Sequence, residues 1–577
     1  MSPARRILAY AARYRRRYAA GAGCLVLAAA FSLAIPWTVK GAVDAVAAHG
    51  AGADLLGPAA LILLLALAHG LARLGSRFLM IGAGQWVEHD IRADLYARLD
   101  SLPPAFYQRH LTGDLMSRAS SDVTAVRQVA GFGSVMLTGT LLTFAGTTTA
   151  MWLLDPWLTL LALSPYPALV LAARAASHRV EAHSAAVQEQ LGVLSARVQE
   201  NLAGAPVVRA YTMEEREIAQ FGRLNAEYTR RALRLAWVQS VFWPLMGAIA
   251  GVGALIILWF GGRAVVDGRI TLGAFVAFNG YLAQLAWPTI ALGWTLASLQ
   301  RGAAAMQRIG AVLDAEAPAA AREGGGRTLG GGAMEFRGLT FAHGDGRPAL
   351  AEVTFRVPAG ALVTVVGPTG GGKSTLGALV CRLHEPPRGT VFLGGHDVRD
   401  VPLDVLRRSV GYVPQEAFLF SRSLRDNVLL APAARPDRLE ALAEVAGVRE
   451  EVASMPDGWD TVVGERGLTL SGGQRQRVAL ARALGGDPPY LVLDDVLSAV
   501  DAGKEWEILR ALHGAGTGRT TLLVTHRLRA AQEADWVVVL DAGRAVEQGR
   551  HADLLAAGGL YARLWRVQQL EDELARA

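Results

Sequence analysis

VVGPTGGGKST occupies residues 365–375, and its reading decides the fold of the C-terminal half of the chain. An apolar run with strand character, residues 361–366, leads into it, and TLGALVCRL, with the apolar spacing of a helix, leads out. Between them the glycines at 367, 370, 371 and 372 leave backbone N–H groups able to curl around a polyphosphate. Lys373 adds a point charge, Ser374 offers a hydroxyl to magnesium, and the helix N-terminus faces the anion. Lysine occurs elsewhere only at 40 and 504, so its place directly after a glycine run is informative. The competing reading is a glycine-rich surface turn.

The 577 residues are 52% hydrophobic and only 19% charged, which calls for more than one domain and for a membrane portion. A net charge of +6 raises the question of nucleic acid. The arginines, however, gather near the ends of apolar stretches, as at a bilayer surface, and no basic groove with interleaved aromatics is present. No nucleic-acid partner is expected. Cys24 and Cys381 lie far apart and suggest packing, not a disulfide or zinc site.

The N-terminus, MSPARRILAYAARYRRRYAAG, carries arginines at 5, 6, 13, 15, 16 and 17 and no acid. It reads as an organellar transit peptide or, with Ile7, Tyr10, Tyr14 and Tyr18 at helical spacing, as an interfacial helix over 1–18. The second reading is preferred, with the arginines toward lipid headgroups. Six apolar segments follow, near 19–46, 55–84, 131–154, 157–175, 240–262 and 271–297, within a membrane domain spanning 19–310. Links after the first, third and fifth are short; those after the second and fourth are long and arginine-rich. The positive-inside rule places both termini and both long links in the cytoplasm, here of a bacterial inner membrane, with helices extending well beyond the bilayer.

Two interruptions in those links, Phe106–Val123 and Glu200–Tyr211, read either as hairpin bends or as short transverse helices that touch another domain. Within the spans, His69, Arg73 and Arg77 share a face near the inner interface, where arginine snorkels. Trp237, Trp243, Asn279, Tyr281, Gln284, Trp287 and Trp294 either line a cavity for an amphipathic solute or simply pack.

A Gly/Ala-rich linker is expected over 311–333 and a soluble α/β domain with a largely parallel sheet over 334–577. In that domain YLVLD, residues 490–494, reads as a buried strand whose terminal carboxylate, Asp494, comes beside the magnesium held by Ser374. LSGGQRQR, residues 470–477, precedes it and opens a helix-like VALARAL.

LSGGQ ahead of VLDDVLSAVD, with GPTGGGKST before and VTHRL after, resembles the nucleotide-binding domain of ATP-binding cassette (ABC) transporters. The resemblance covers the whole chain, since six spans fused ahead of one cassette look like an exporter half-transporter. It implies an all-α six-helix transmembrane bundle followed by an α/β P-loop ATPase domain, with ATP and Mg2+ as ligands. Gly367, Pro368, Thr369, Gly370, Gly371, Gly372, Lys373, Ser374 and Thr375 then form the phosphate cradle, and Ser374, Gln415 and Asp494 serve the metal. His526 matches the switch histidine that reads the γ-phosphate; Thr461–Gly467 matches the segment that crosses to the partner half, and Ser498–Asp501 the loop between the two sites. Ser471, Gly472, Gly473 and Gln474 are expected to reach the ATP held by that partner, and the two interruptions match coupling helices.

Two departures stand out. The family's brisk hydrolysers carry glutamate after the magnesium aspartate, where this chain has Asp495; one methylene less retracts the carboxylate by roughly 1 Å, a misplacement that can cost about 100-fold in rate. His343 replaces the tyrosine that stacks on adenine. A weak base beside an intact LSGGQ motif implies the degenerate-site half of a heterodimer that moves a hydrophobic or amphipathic solute outward. The alternatives are a slow homodimer, a membrane-tethered regulatory ATPase and an ATP-gated channel.

Overall fold

The computed structural model describes residues 2–316, 329–344, 346–431, 434–464, 470–496, 502–514 and 518–574. Their contacts fall into two compact units, one of residues 1–101 and 111–316, the other of residues 102–110 and 317–577.

The first unit is entirely helical. Its long members are Arg15–His49, Leu56–Ser101, Tyr166–Ala203, Glu214–Ile256 and Leu272–Leu313, together with a 43-residue run from Thr112 to Leu154 that contains two π-turns. At about 1.5 Å per residue the 46 residues of Leu56–Ser101 reach about 70 Å, more than twice the roughly 30 Å of a hydrocarbon core. Among the described residues, three helices are long and apolar enough to cross a membrane: Arg15–His49, Leu56–Ser101 and Thr112–Leu154. Shorter apolar stretches fall at Gly251–Val266, which overlaps the fifth expected span and runs past its end, and at Leu272–Leu285, within the sixth.

Polar contacts tie this unit at its ends and at a few buried points. The N-terminal helix, Pro3–Ala12, stops at a turn over residues 13 and 14, so the expected stripe of Ile7, Tyr10, Tyr14 and Tyr18 is split between two helices. Two of the six N-terminal arginines have carboxylate partners within the chain: Arg6 pairs with Asp314 at 2.7 Å and Arg13 with Asp90 at 2.9 Å, while the Tyr10 hydroxyl donates to Asp94. These acids lie in the membrane unit's own long helices and their ends, and Asp314 and Asp90 each neutralise a cation that the sequence alone leaves unpaired. The His69 ring nitrogen Nδ1 lies 2.9 Å from the Ala28 carbonyl oxygen. The Tyr281 hydroxyl and the Gln284 amide donate to the carbonyls of Leu33 and Ser32, so these two cavity candidates instead pin the last long helix to the first. Asn279 and Trp237 are exposed; the side chains of Trp243, Trp287 and Trp294 lie outside the described ones. Short helices form at Pro104–Arg109 and Ala205–Ala210, within or beside the two expected interruptions.

The expected linker begins late, since helix persists to Leu313; residues 317–328 lie outside the described ones. The second unit carries two sheets. Strands β1 (Met334–Ala342), β2 (Pro348–Val357), β4 (Val391–Leu393) and β5 (His396–Asp397) pair antiparallel in the order β2-β1-β4-β5. Strands β3 (Leu362–Val366), β6 (Val410–Val413), β7 (Tyr490–Asp494), β8 (Thr520–Val524), β9 (Trp536–Asp541) and β10 (Arg544–Gly549) form the other sheet, β10-β9-β3-β8-β7-β6, parallel except for β10. β3, β7 and β8 are buried at every residue, which accounts for their largely apolar sequences without polar alternation. Cys381 is buried and Cys24 half-buried, both as free thiols.

Candidate nucleotide site

Parallel register brings the chemistry to one edge. Val365 pairs with Val524, Val524 with Asp494, and Val413 with Leu493, so β3, β8, β7 and β6 end side by side. The residues just beyond those ends are Gly367, His526, Asp495 and Gln415, and the crevice past the carboxyl ends of a parallel sheet is where such folds bind ligands.

The phosphate loop needs its glycines. Gly370 and Gly372 have φ of +81° and +89°, and a Cβ on Gly372 would come within 2.3 Å of the Ala349 carbonyl oxygen. The Lys373–Val380 helix starts at Lys373 itself, two residues earlier than the apolar spacing suggests. Lys373 is 5% exposed; its ammonium donates to the carbonyls of Gly367 at 2.9 Å and Pro368 at 2.8 Å, bracing the loop from within. Burial pulls this ammonium below its ordinary range, against the upward pull of Asp495 and Asp494. A polyphosphate in the cradle supplies the missing counter-charge.

The Ser374 hydroxyl donates to Asp494 Oδ1 at 3.0 Å, joining the loop to the end of β7. Burial raises the Asp494 carboxyl above its ordinary range, offset in part by that hydroxyl. Among the described residues no group of three or more His, Cys, Asp or Glu side chains can hold a metal ion. One hydroxyl beside one carboxylate suits Mg2+, which keeps its waters and takes substrate phosphate oxygens in place of a full protein cage.

Asp495 is buried and has φ of +50°, a left-handed backbone that aspartate tolerates better than longer side chains. Its own N–H donates to the Val524 carbonyl at 2.7 Å, its carbonyl accepts from Gln476 Nε2 at 3.3 Å, and its Oδ1 lies 3.5 Å from the His526 backbone nitrogen. Sequence reasoning caught the shortened side chain but not this inverted backbone, which no residue type announces. His526 and Gln415 both present exposed side chains at this edge.

At the other end of the loop, His343 is exposed, with Nε2 3.3 Å from the Thr375 hydroxyl. It meets Phe341 and His384 edge-on, at centroid distances of 5.1 Å and 4.9 Å. His384 was not legible as part of the site. It follows the phosphate-loop helix at no motif spacing, and burial together with His343 lowers its basicity.

Ser471 caps the Gly472–Gly485 helix: its hydroxyl accepts the Gln474 N–H, and the Gln474 side chain accepts the Ser471 N–H. The cap thus uses the Gln474 amide oxygen and one acceptor site of the Ser471 hydroxyl, which keeps its donor, while the first-turn amides at the helix start have no intrahelical partner. Ser498–Asp501, and residues 465–467 of the expected Thr461–Gly467 segment, lie outside the described residues.

Fold and site define a membrane-embedded ATPase of the phosphate-loop class. The ABC transporter transmembrane region profile matches residues 19–289 and the ABC transporter profile residues 350–498. The chain is 34% identical over 570 residues to the multidrug resistance-like ATP-binding protein MdlA of Escherichia coli K12, covering 98% of this chain and 96% of that protein. It is 31% identical over 583 residues to the ATP-dependent lipid A-core flippase of Syntrophus aciditrophicus, covering 99% and 95%. Among solved structures it is similar to a bacterial Atm1-family ABC exporter with ATP bound, at 28% identity and a TM-score of 0.80, covering 96% of this chain and 99% of that one. The chain belongs to the ABC transporter family, as an exporter half-transporter in which a transmembrane region is fused to an ATPase domain. It binds and hydrolyses ATP to drive export across a membrane.

Proposed function

We propose that this chain is the slow-site half of a heterodimeric exporter of amphipathic solutes. Its own pocket holds Mg–ATP between the 367–375 loop, Asp494 and Gln415, and Asp495 there is a poor general base. Its Ser471 loop completes the pocket of a partner half that carries glutamate at the corresponding position. Magnesium, when bound, neutralises charge on the phosphate oxygens; the chain's part is to hold the nucleotide, orient water and read the γ-phosphate through His526. Closure of two halves around shared ATP is passed through the Pro104–Arg109 and Ala205–Ala210 helices to the membrane unit, and phosphate release resets it. Both termini are cytoplasmic, and the membrane is the bacterial inner membrane. Relatives named as a lipid A-core flippase and as a multidrug resistance-like protein support an amphipathic cargo.

The observation that carries this reading is the pairing of a short, backbone-engaged Asp495 with a fully capped Ser471 helix in one chain. The test is turnover of the full-length chain purified alone in nanodiscs. Turnover should be slow, and Asp495→Glu should raise it about 100-fold, the scale of a 1 Å correction. Vigorous hydrolysis by the wild-type chain, abolished by Asp495→Asn, overturns the asymmetry.

A further inference from the structure

His526 lies just past the end of β8, its backbone nitrogen 3.5 Å from Asp495 Oδ1, and the residues on either side of it are held by hydrogen bonds. Thr525 N–H donates to the Val365 carbonyl at 3.1 Å, and Thr525 Oγ1 accepts the Arg527 N–H at 3.0 Å, so the backbone before and after the histidine is strung from the central sheet. Arg527 donates from Nη1 to Glu505 Oε2 at 2.9 Å. Glu505 is 2% exposed, in the first turn of the Ala502–Gly514 helix, whose Ile508, Leu509 and Leu512 are sunk in the core. Its other oxygen, Oε1, has no hydrogen-bond partner among the described residues. Burial raises this carboxyl above its ordinary range, and Arg527 is the main group opposing that shift. A buried carboxylate bonded on one oxygen is costly to keep unless its geometry serves something, and here its partner is the residue next to the switch histidine.

We propose that Glu505 and Arg527 are positioning residues for His526, anchoring its loop to a core helix so that the imidazole meets the γ-phosphate at a fixed place. Neither side chain touches nucleotide. A ring displaced by about 1 Å costs about 100-fold in the chemical step and leaves ground-state binding almost unchanged, because adenine and the other phosphates are held elsewhere. This inference rests on the reading of His526 given above.

The test is single-turnover ATP hydrolysis by the full-length chain in nanodiscs, with the saturating rate and the half-saturating ATP concentration measured separately. Arg527→Met, which keeps length and volume, should lower the saturating rate roughly ten- to 100-fold and shift the half-saturating concentration less than about threefold. Arg527→Lys should recover most of the rate. Glu505→Gln should slow hydrolysis in the same direction, and adding it to Arg527→Met should cost nothing further, since the pair acts as a unit. In a His526→Ala background, Arg527→Met should have no further effect. A saturating rate within about twofold of wild type for Arg527→Met, or an undiminished effect of that change in the His526→Ala background, overturns the positioning role while His526 keeps its own. If His526→Ala itself hydrolyses at the wild-type rate, the reading of His526 falls and this inference with it.

Discussion

The two nucleotide-facing ends of the ATPase unit are built on opposite plans. At the phosphate loop the functional side chains are bonded to other parts of the same pocket: Lys373 to Gly367 and Pro368, Ser374 to Asp494, His343 beside Thr375. At the Ser471 helix the bonds close on the helix itself, Ser471 with Gln474, and the first-turn amides are left for a ligand from elsewhere. The first end carries the phosphate loop and metal-side groups of one pocket; the second carries the loop that closes another. A chain with both needs a second copy or a relative to use the second, and on the reading proposed above the short Asp495 makes the second end the larger contributor to turnover.

Removing the charge at the phosphate-loop end should have the largest effect. Lys373→Ala takes away both the brace on the loop and the ammonium that faces the phosphates, so hydrolysis should fall about 100- to 1000-fold, the range for losing a preorganised electrostatic contact. Nucleotide binding by isothermal titration separates the two roles. Weak binding with a native thermal midpoint means a lost ligand contact, and a large drop in midpoint means a collapsed loop. Retained binding and turnover would break the comparison at its stronger side.

The Ser471 end allows a finer separation, because the Ser471 hydroxyl keeps its donor at the very start of the helix, whereas the Gln474 side chain is tied back to the Ser471 N–H through its amide oxygen. Ser471→Ala and Gln474→Ala should each cost about 1 kcal/mol of stability as halves of the cap. Only Ser471→Ala should also slow hydrolysis in a mixed assembly, by about tenfold for a lost hydrogen bond to a charged group. Urea denaturation of the detergent-solubilised chain reads the first effect and steady-state turnover the second. Equal loss of turnover in both variants means that helix fraying, and not ligand contact, is responsible.

How much of this was legible in the sequence depended on whether a feature is local. The glycine loop, the Asp494–Asp495 pair and the Ser471 cap are written in consecutive residues, and each forms where its spacing puts it. What stayed hidden is set by distant partners. Arg6 and Arg13 read as lipid-facing until Asp314 and Asp90 arrive from residues far along the chain, and Tyr281 and Gln284 read as cavity lining until Leu33 and Ser32 offer carbonyls. The left-handed Asp495 belongs to the same class, since its backbone N–H is bonded to Val524 on the neighbouring strand.

The smallest effect concerns the base end of the pocket, where His343 stands in an edge-on cluster with Phe341 and His384. An imidazole presents less area to adenine than a phenol ring, and the contact with Thr375 holds it over the start of the phosphate-loop helix. His343→Tyr should therefore tighten ATP binding by a few-fold, matching the scale of about 0.5–1.5 kcal/mol for one better aromatic contact. Hydrolysis at saturating ATP should stay the same, because adenine lies far from the bond that breaks. His384→Ala in the same assay sharpens the point. If His384 merely supports His343, its loss weakens wild-type binding and has less effect in the His343→Tyr background, where the larger phenol ring fills the seat. If both variants leave affinity untouched, the base is not held at this cluster, and the phosphate-loop end of the site stops at its phosphates.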